Sequence, residues 1–243
     1  MSPTDAAAIF VLAAIAAFTQ AISGFGFSLL LVPPLAMVLG PKHAVVTANG
    51  LSLMTNLPMS VYLRAEIQRS LCMRLVLGGA LGMPLGLIVL LGVSAAALQV
   101  AIAVMVLAST LLIWRGFHLH VAGGATDFLA GVVSGVLNTS TSMSGPPIVL
   151  YLQGRRIAPG PFRATLAAFF CVSGLVALTL YLAGGELDRT TAAQVGVGAP
   201  GLALGLFFGN AVHSRLDPLR FRHIVIGVLV LSAVIALAAA AAN

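Results

Sequence analysis

Ser23-Gly24-Phe25-Gly26-Phe27-Ser28, followed by Pro33-Pro34, and Asn138-Thr139-Ser140-Thr141-Ser142-Met143-Ser144-Gly145, followed by Pro146-Pro147, decide how this chain folds. Each stretch interrupts a long apolar segment, one near the start of each half of the sequence. Small and hydroxylated residues followed by Pro-Pro do not continue a helix, so both segments are predicted to break. Within a bilayer, irregular backbone persists only where it is packed in protein or lines a cavity. Paired interruptions in corresponding places of two halves mark the binding site of a transporter.

The surrounding composition places those breaks in a membrane. The chain has 243 residues, 60% hydrophobic and 7% charged, with a mean hydropathy of +1.09. A soluble domain carries roughly 25% charged residues, so the expectation is a single polytopic membrane domain over residues 1–243. The formal charge of +6 does not indicate nucleic acid, because the basic residues lie in short loops between apolar runs. They read as topology determinants and as contacts for anionic lipid headgroups. The N-terminus lacks the basic stretch of a cleaved signal peptide and is expected to be retained.

The apolar runs are 6–39, 43–63, 71–92, 95–114, 127–152, 162–184, 191–212 and 221–241. About 20 residues span a bilayer as a helix, so the six unbroken runs are expected to cross once each. If the two broken runs also crossed once, the basic residues would divide five against seven between the two sides. If each broken run enters and returns on one side, ten fall on the cytoplasmic side, and Lys42 and Arg189 alone lie outside. The positive-inside rule selects the second arrangement. Each broken run is then a re-entrant hairpin, with arms of about a dozen residues in run 127–152. Run 6–39 stays open between a hairpin and a spanning helix followed by a half-helix. Each half, about 1–118 and 119–243, then has one broken segment plus three transmembrane helices, an odd number of crossings, so the halves are inverted repeats. Gly40-Pro41 and Ala44 match Gly160-Pro161 and Ala164, and Leu85-Gly86-Leu87 matches Leu204-Gly205-Leu206. Both chain termini are expected on the non-cytoplasmic side of a bacterial inner membrane.

At the breaks the chemistry favours an anion. A half-helix begins after each interruption, and its free N–H groups and dipole present partial positive charge. Ser142 or Ser144 is expected to cap the second half-helix, with Pro146-Pro147 in its first turn. Asn138, Ser140, Thr141, Ser142, Ser144 and Gly145 form the second half-site, and Ser23, Gly24, Gly26 and Ser28 form the first. Close packing of small residues between helices is the competing explanation for the same sequence. Arg163 is read either as a residue that draws in or binds the anion, or as an interfacial arginine. Asn49, Ser52 and Asn56 are possible cavity-lining residues, with helix-to-helix hydrogen bonding as the alternative. His43 is read as the counterpart of Arg163 on the outer side, Asp127 as an interfacial cap, and His118 and His120 as solvated.

The segments Gly24-Phe-Gly-Phe-Ser-Leu-Leu-Leu-Val-Pro-Pro34, Met143-Ser-Gly-Pro-Pro-Ile-Val-Leu-Tyr151 and Phe162-Arg-Ala-Thr165 resemble the TauE/SafE family. These are bacterial inner-membrane permeases linked to export of sulfite and organosulfonates. Many members carry Gly-Gly where this chain has Phe27-Ser28. The resemblance implies an exporter of small sulfur-containing anions. Moving one negative charge outward along an inside-negative potential is favourable by about 2.3 kcal/mol per 100 mV, so such export needs no coupling ion.

Three further readings stay in view. The scaffold could run as an importer or channel for other small anions or carboxylates. Cys72 and Cys171 could form a thiol–disulfide conduit, although neither has a cysteine at its repeat-related position. The chain could also form a homo-oligomer. No cofactor, metal-ligand spacing or nucleophile–base pair is visible, so no enzymatic activity is expected.

Overall fold

The structure is a computed structural model that describes residues 1–115, 123–155 and 157–212; the side chains of Ser23 and Ile113 lie outside this set. The described residues form helices α1 (Pro3–Ser23), α2 (Phe27–Leu39), α3 (Pro41–Tyr62), α4 (Arg69–Gly92), α5 (Ala95–Trp114), α6 (Gly124–Thr141), α7 (Gly145–Gly154), α8 (Pro159–Ala183) and α9 (Arg189–Val212), with one 3-10 turn at Arg64–Glu66. The protein is an all-α polytopic membrane protein. Run 221–241, Arg156, Arg215, Arg220, Arg222, His118 and His120 lie outside the described residues.

Helices α1, α4, α5, α8 and α9 are long and apolar enough to cross a membrane. Helix α3 has the length, 22 residues, but not the hydropathy. It carries Lys42, His43 and Asn49, whose polar groups meet α4, α9, α6 and α8, and Asn56, whose Nδ2 stays within α3. Both breaks fall where the sequence placed them, between Ser23 and Phe27 and between Thr141 and Gly145. The arms are unequal, however. Helix α1 has 21 residues and α2 has 13, while α6 has 18 and α7 only 10. The dozen-residue arms expected in run 127–152 are therefore corrected. Helix α6 starts earlier, at Gly124, and runs on through the hydroxyl cluster, because Thr139, Ser140 and Thr141 each bond the carbonyl four residues back.

Glycine seams set which helices touch. Added Cβ atoms on Gly78, Gly82 and Gly86 of α4 would meet the carbonyls of Phe128, Val132 and Val136 of α6. On α9, Gly201, Gly205 and Gly209 face the carbonyls of Phe10, Ala14 and Phe18 of α1 in the same way. In both seams residue numbers rise together, so each pair of helices is parallel and in backbone contact. Beside the α4 seam, Leu77, Leu81, Leu85 and Ile88 are exposed, the apolar face that lipid covers.

The remaining contacts fix chain direction. His43, Thr47 and Leu51 of α3 meet Thr191, Gln194 and Gly198 of α9, so α3 runs parallel to α9 and hence to α1. Two parallel helices joined by α2 require that α2 runs back. Likewise Gln68, just before α4, meets Thr165 of α8, and Leu87 meets Gly184, just after it. Helices α4, α6 and α8 therefore share a direction and α7 returns. Asn49 meets Tyr181 and Leu53 meets Gly174, so α3 and α8 are antiparallel. In each broken segment the second helix therefore runs back along the first, α1 and α3 point opposite to α6 and α8, and α4 points opposite to α9. The ends carrying Arg64, Arg69, Arg74, Arg155 and Arg163 collect on one face, with Lys42 and Arg189 on the other.

Candidate functional site

The two interruptions are built alike. Helix α1 ends in a left-handed residue, Gly24 (φ 80°), whose N–H donates to the Gln20 carbonyl at 2.7 Å. Helix α6 ends in Ser142 (φ 61°), whose N–H donates to the Asn138 carbonyl at 2.9 Å. Among the described residues Ser142 is the sole non-glycine at positive φ, a conformation that costs a side-chain-bearing residue of order 1 kcal/mol. Such strain persists where the surroundings hold it, and here they form the floor of a cavity. The Ser142 and Ser28 hydroxyls are 3.1 Å apart and bring the two breaks together.

That cavity, about 30 Å³, is lined by Gln20, Gly26, Ser28, Asn49, Ser52, Asn56, Asn138, Ser142, Ser144 and Gly145, with Phe25, Phe27, Leu29, Met143, Pro146, Phe170 and Gly174 completing its wall. A water needs roughly 10–15 Å³ on this measure, so the space suits a compact polar guest. Gly26, Phe27, Ser28 and Leu29 open α2, where N–H groups have no partner within the helix. Ser144 and Gly145 do the same for α7, with Pro146 and Pro147 removing two donors. No side chain caps either start. This corrects the expected Ser142 or Ser144 cap: Ser142 turns to Ser28 instead, and the helix ends stay open to the cavity.

The structure does not bring every candidate here. Ser140 and Thr141 donate to Val136 and Leu137 of their own helix. Ser23 closes α1, and its side chain lies outside the described set. Gly24 forms the bend rather than the wall; a Cβ on it would stand 3.7 Å from Arg163 Nε. Arg163 packs against the first break from a larger space of about 520 Å³, which Thr55, Tyr62, Glu66 and Asn210 also line. Gln20 lines both spaces.

Two amides and a phenol hold the site. Asn49 Nδ2 donates to the carbonyls of Val45 and Asn138 at 3.2 Å and to the Tyr181 hydroxyl at 3.0 Å. Tyr181, fully buried, donates to the Thr139 carbonyl at 2.9 Å. The Thr139 carbonyl at the end of α6 is thus satisfied by α8, and the Asn138 carbonyl, which already takes the Ser142 N–H, gains a second donor from α3. Asn56 is tied within α3 to Ser52 through its carbonyl, at 2.8 Å, and its hydroxyl, at 3.1 Å.

Asp127 is not a helix cap. It is fully buried, and its carboxylate accepts from Arg74 at 2.6 Å, from Arg155, and from the Tyr151 hydroxyl at 2.5 Å. The cluster clamps α4, α6 and α7 together at the base of the second hairpin. His43 bonds Thr191 at 3.2 Å, away from the cavity. Cys72 and Cys171 are buried free thiols and neither lines the cavity.

Gln20, Tyr181 and Phe170 were missed in the sequence. Gln20 had a signal: it precedes the first bend by the same interval as Asn138 precedes the second. Aligning the two breaks on Gly24 and Ser142 superposes these two amides.

Residues 9–236 match the profile of the family described as "Sulfite exporter TauE/SafE". A protein of Cupriavidus necator named "Probable sulfite/organosulfonate exporter TauE" is 24% identical over 225 residues, covering 88% of this chain and 86% of that protein. No solved structure matches the chain.

Proposed function

Because the chain belongs to the sulfite exporter TauE/SafE family, a family of membrane transporters, we infer that it exports small sulfur-containing anions such as sulfite or organosulfonates. The observation that carries this reading is the convergence of two open half-helix starts, α2 and α7, on one small hydroxyl-lined cavity. Their N–H groups and dipoles supply positive potential without a buried cation. Gly26 and Gly145 leave the backbone accessible, and Ser28, which takes the Ser142 hydroxyl, and Ser144 add hydroxyl donors. Arg163 supplies the formal charge that draws an anion into the outer space, and Gln20 stands between that space and the cavity.

The working cycle is alternating access between two inverted repeats, about 1–118 and 119–243. The opposed helix directions and the matched bends at Gly24 and Ser142 support that duplication. The arginine-rich face is the cytoplasmic one by the positive-inside rule, which sets the N-terminus outside and the Arg163 space toward the cytoplasm of a bacterial inner membrane. An anion leaving along an inside-negative potential needs no coupling ion.

The test is anion flux into proteoliposomes of purified protein under an imposed potential, comparing sulfite, sulfoacetate and acetate. Potential-driven flux of the two sulfur anions, abolished by Gly145→Leu in protein that still folds, is the expected result. Wild-type flux from Gly145→Leu would sink the site, and preference for acetate would move the assignment to carboxylates.

A further inference from the structure

The amide of Gln20 is oriented, and its orientation is unusual for an anion path. Asn56 commits its Nδ2 to Ser52, which leaves Asn56 Oδ1 facing Gln20. Gln20 Nε2 donates to that oxygen at 3.5 Å. Turning the Gln20 amide over would set oxygen against oxygen, so Oε1 is held away from Asn56. This Oε1 is buried and has no hydrogen-bond partner among the described residues, in a side chain only 4% exposed that lines both the cavity and the Arg163 space. The backbone beneath is fixed too, since the Gln20 carbonyl takes the Gly24 N–H that forms the bend. Arg163 Nε, also buried and without a partner among the described residues, lies on the other side of that bend.

A bare acceptor repels the oxygens of an anion, yet a buried acceptor left unpaired is costly. Both conditions are met when the passing anion carries a hydrogen of its own. We propose that Gln20 is a specificity-determining residue whose Oε1 accepts a hydrogen bond from an O–H or N–H of the cargo. The favoured cargo is therefore an oxyanion or sulfonate that bears a hydrogen-bond donor beside its charge. The anionic end sits at the starts of α2 and α7, and the donor faces Gln20. The inference rests on the anion-site reading above.

The test uses the full chain in proteoliposomes with two anions of equal charge and similar size, 2-hydroxyethanesulfonate and 1-propanesulfonate. Sites that bond a substrate hydroxyl discriminate strongly against the analogue lacking it, so wild type is expected to favour the hydroxylated anion by about tenfold or more in kcat/KM. Gln20→Met should bring that ratio close to one, with folding of the variant checked separately by thermal unfolding in detergent. Asn56→Leu, which frees the Gln20 amide to turn, should lower the ratio as well and serves if Gln20→Met does not fold. Equal wild-type flux of the two anions, or an unchanged ratio in Gln20→Met, overturns the role of Gln20 alone. Absence of flux for both anions and for sulfite in wild type overturns the anion-transport reading and this inference with it.

Discussion

One substitution made at two places on the same helix tests the packing that carries the site. At Gly196 of α9 an added Cβ meets nothing within 4 Å among the described residues. At Gly205, two and a half turns on, it would stand 2.9 Å from both the Ala14 carbonyl carbon and the Ala17 Cβ, and closer still to the Ala14 oxygen. Ordinary contact begins at 3.4 Å, and backbone cannot yield as a flexible side chain does, so α1 and α9 must part by roughly 1 Å. Gly196→Ala recovers backbone entropy, up to about 1 kcal/mol. Gly205→Ala makes the same gain but overpacks the seam at about 1–3 kcal/mol or more, for a net loss. For a chain of this size each kcal/mol moves the melting midpoint by roughly 2–4 °C. Thermal unfolding in detergent should therefore show Gly196→Ala at or above wild type and Gly205→Ala below it. Because α1 carries Gln20 and the first bend, Gly205→Ala should also lose flux. A Gly205→Ala protein as stable and active as Gly196→Ala would show that α1 and α9 are not in backbone contact.

Asp127→Asn removes a fully buried carboxylate from two arginines that stay partly exposed, and the same unfolding assay should show a loss of about 1–3 kcal/mol. Tyr181→Phe removes the donor to Thr139 and the acceptor for Asn49; a loss of about 1–3 kcal/mol is expected, with lower flux because the end of α6 loosens. At the left-handed Ser142, valine should destabilise strongly and glycine should leave stability near wild type, with the relief of strain offsetting the lost Ser28 bond. Equal midpoints for Ser142→Val and Ser142→Gly would contradict the bend geometry. Asp188, in the loop before α9, accepts the Thr191 N–H at 2.7 Å, and that bond holds its carboxyl below the ordinary carboxylate range. Its contribution is complete above that range and fades as pH falls through the lowered value, so protection of the Thr191 amide against hydrogen exchange should decline only on acidification.

The breaks were legible because their residue types are rare inside apolar runs, and the charge count revealed the return of each hairpin. Arm lengths were not legible. Thr139, Ser140 and Thr141 look like a turn, but their hydroxyls bond backward along the helix and let α6 continue. That same bonding withdraws Ser140 and Thr141 from the cavity. Asp127 was misread because its partner Arg74 is 53 residues away, and no local spacing encodes such a pair. Gln20 escaped notice because a single amide in an apolar run carries no meaning until its counterpart Asn138 is set beside it.

The seams between α1 and α9 and between α4 and α6 differ in how far apart in time the ribosome delivers their two sides. Helix α4 is complete well before α6, but the gap is short. Helix α1 precedes its partner α9 by about 190 residues, a wait of roughly 10–40 s at ordinary rates of synthesis. Through that interval the Phe10, Ala14 and Phe18 surface lacks the glycines that cover it in the finished fold. Biogenesis is thus set to be late and all-at-once for the first half-site, and a chain stalled before Gly201 would hold an inserted but unassembled α1.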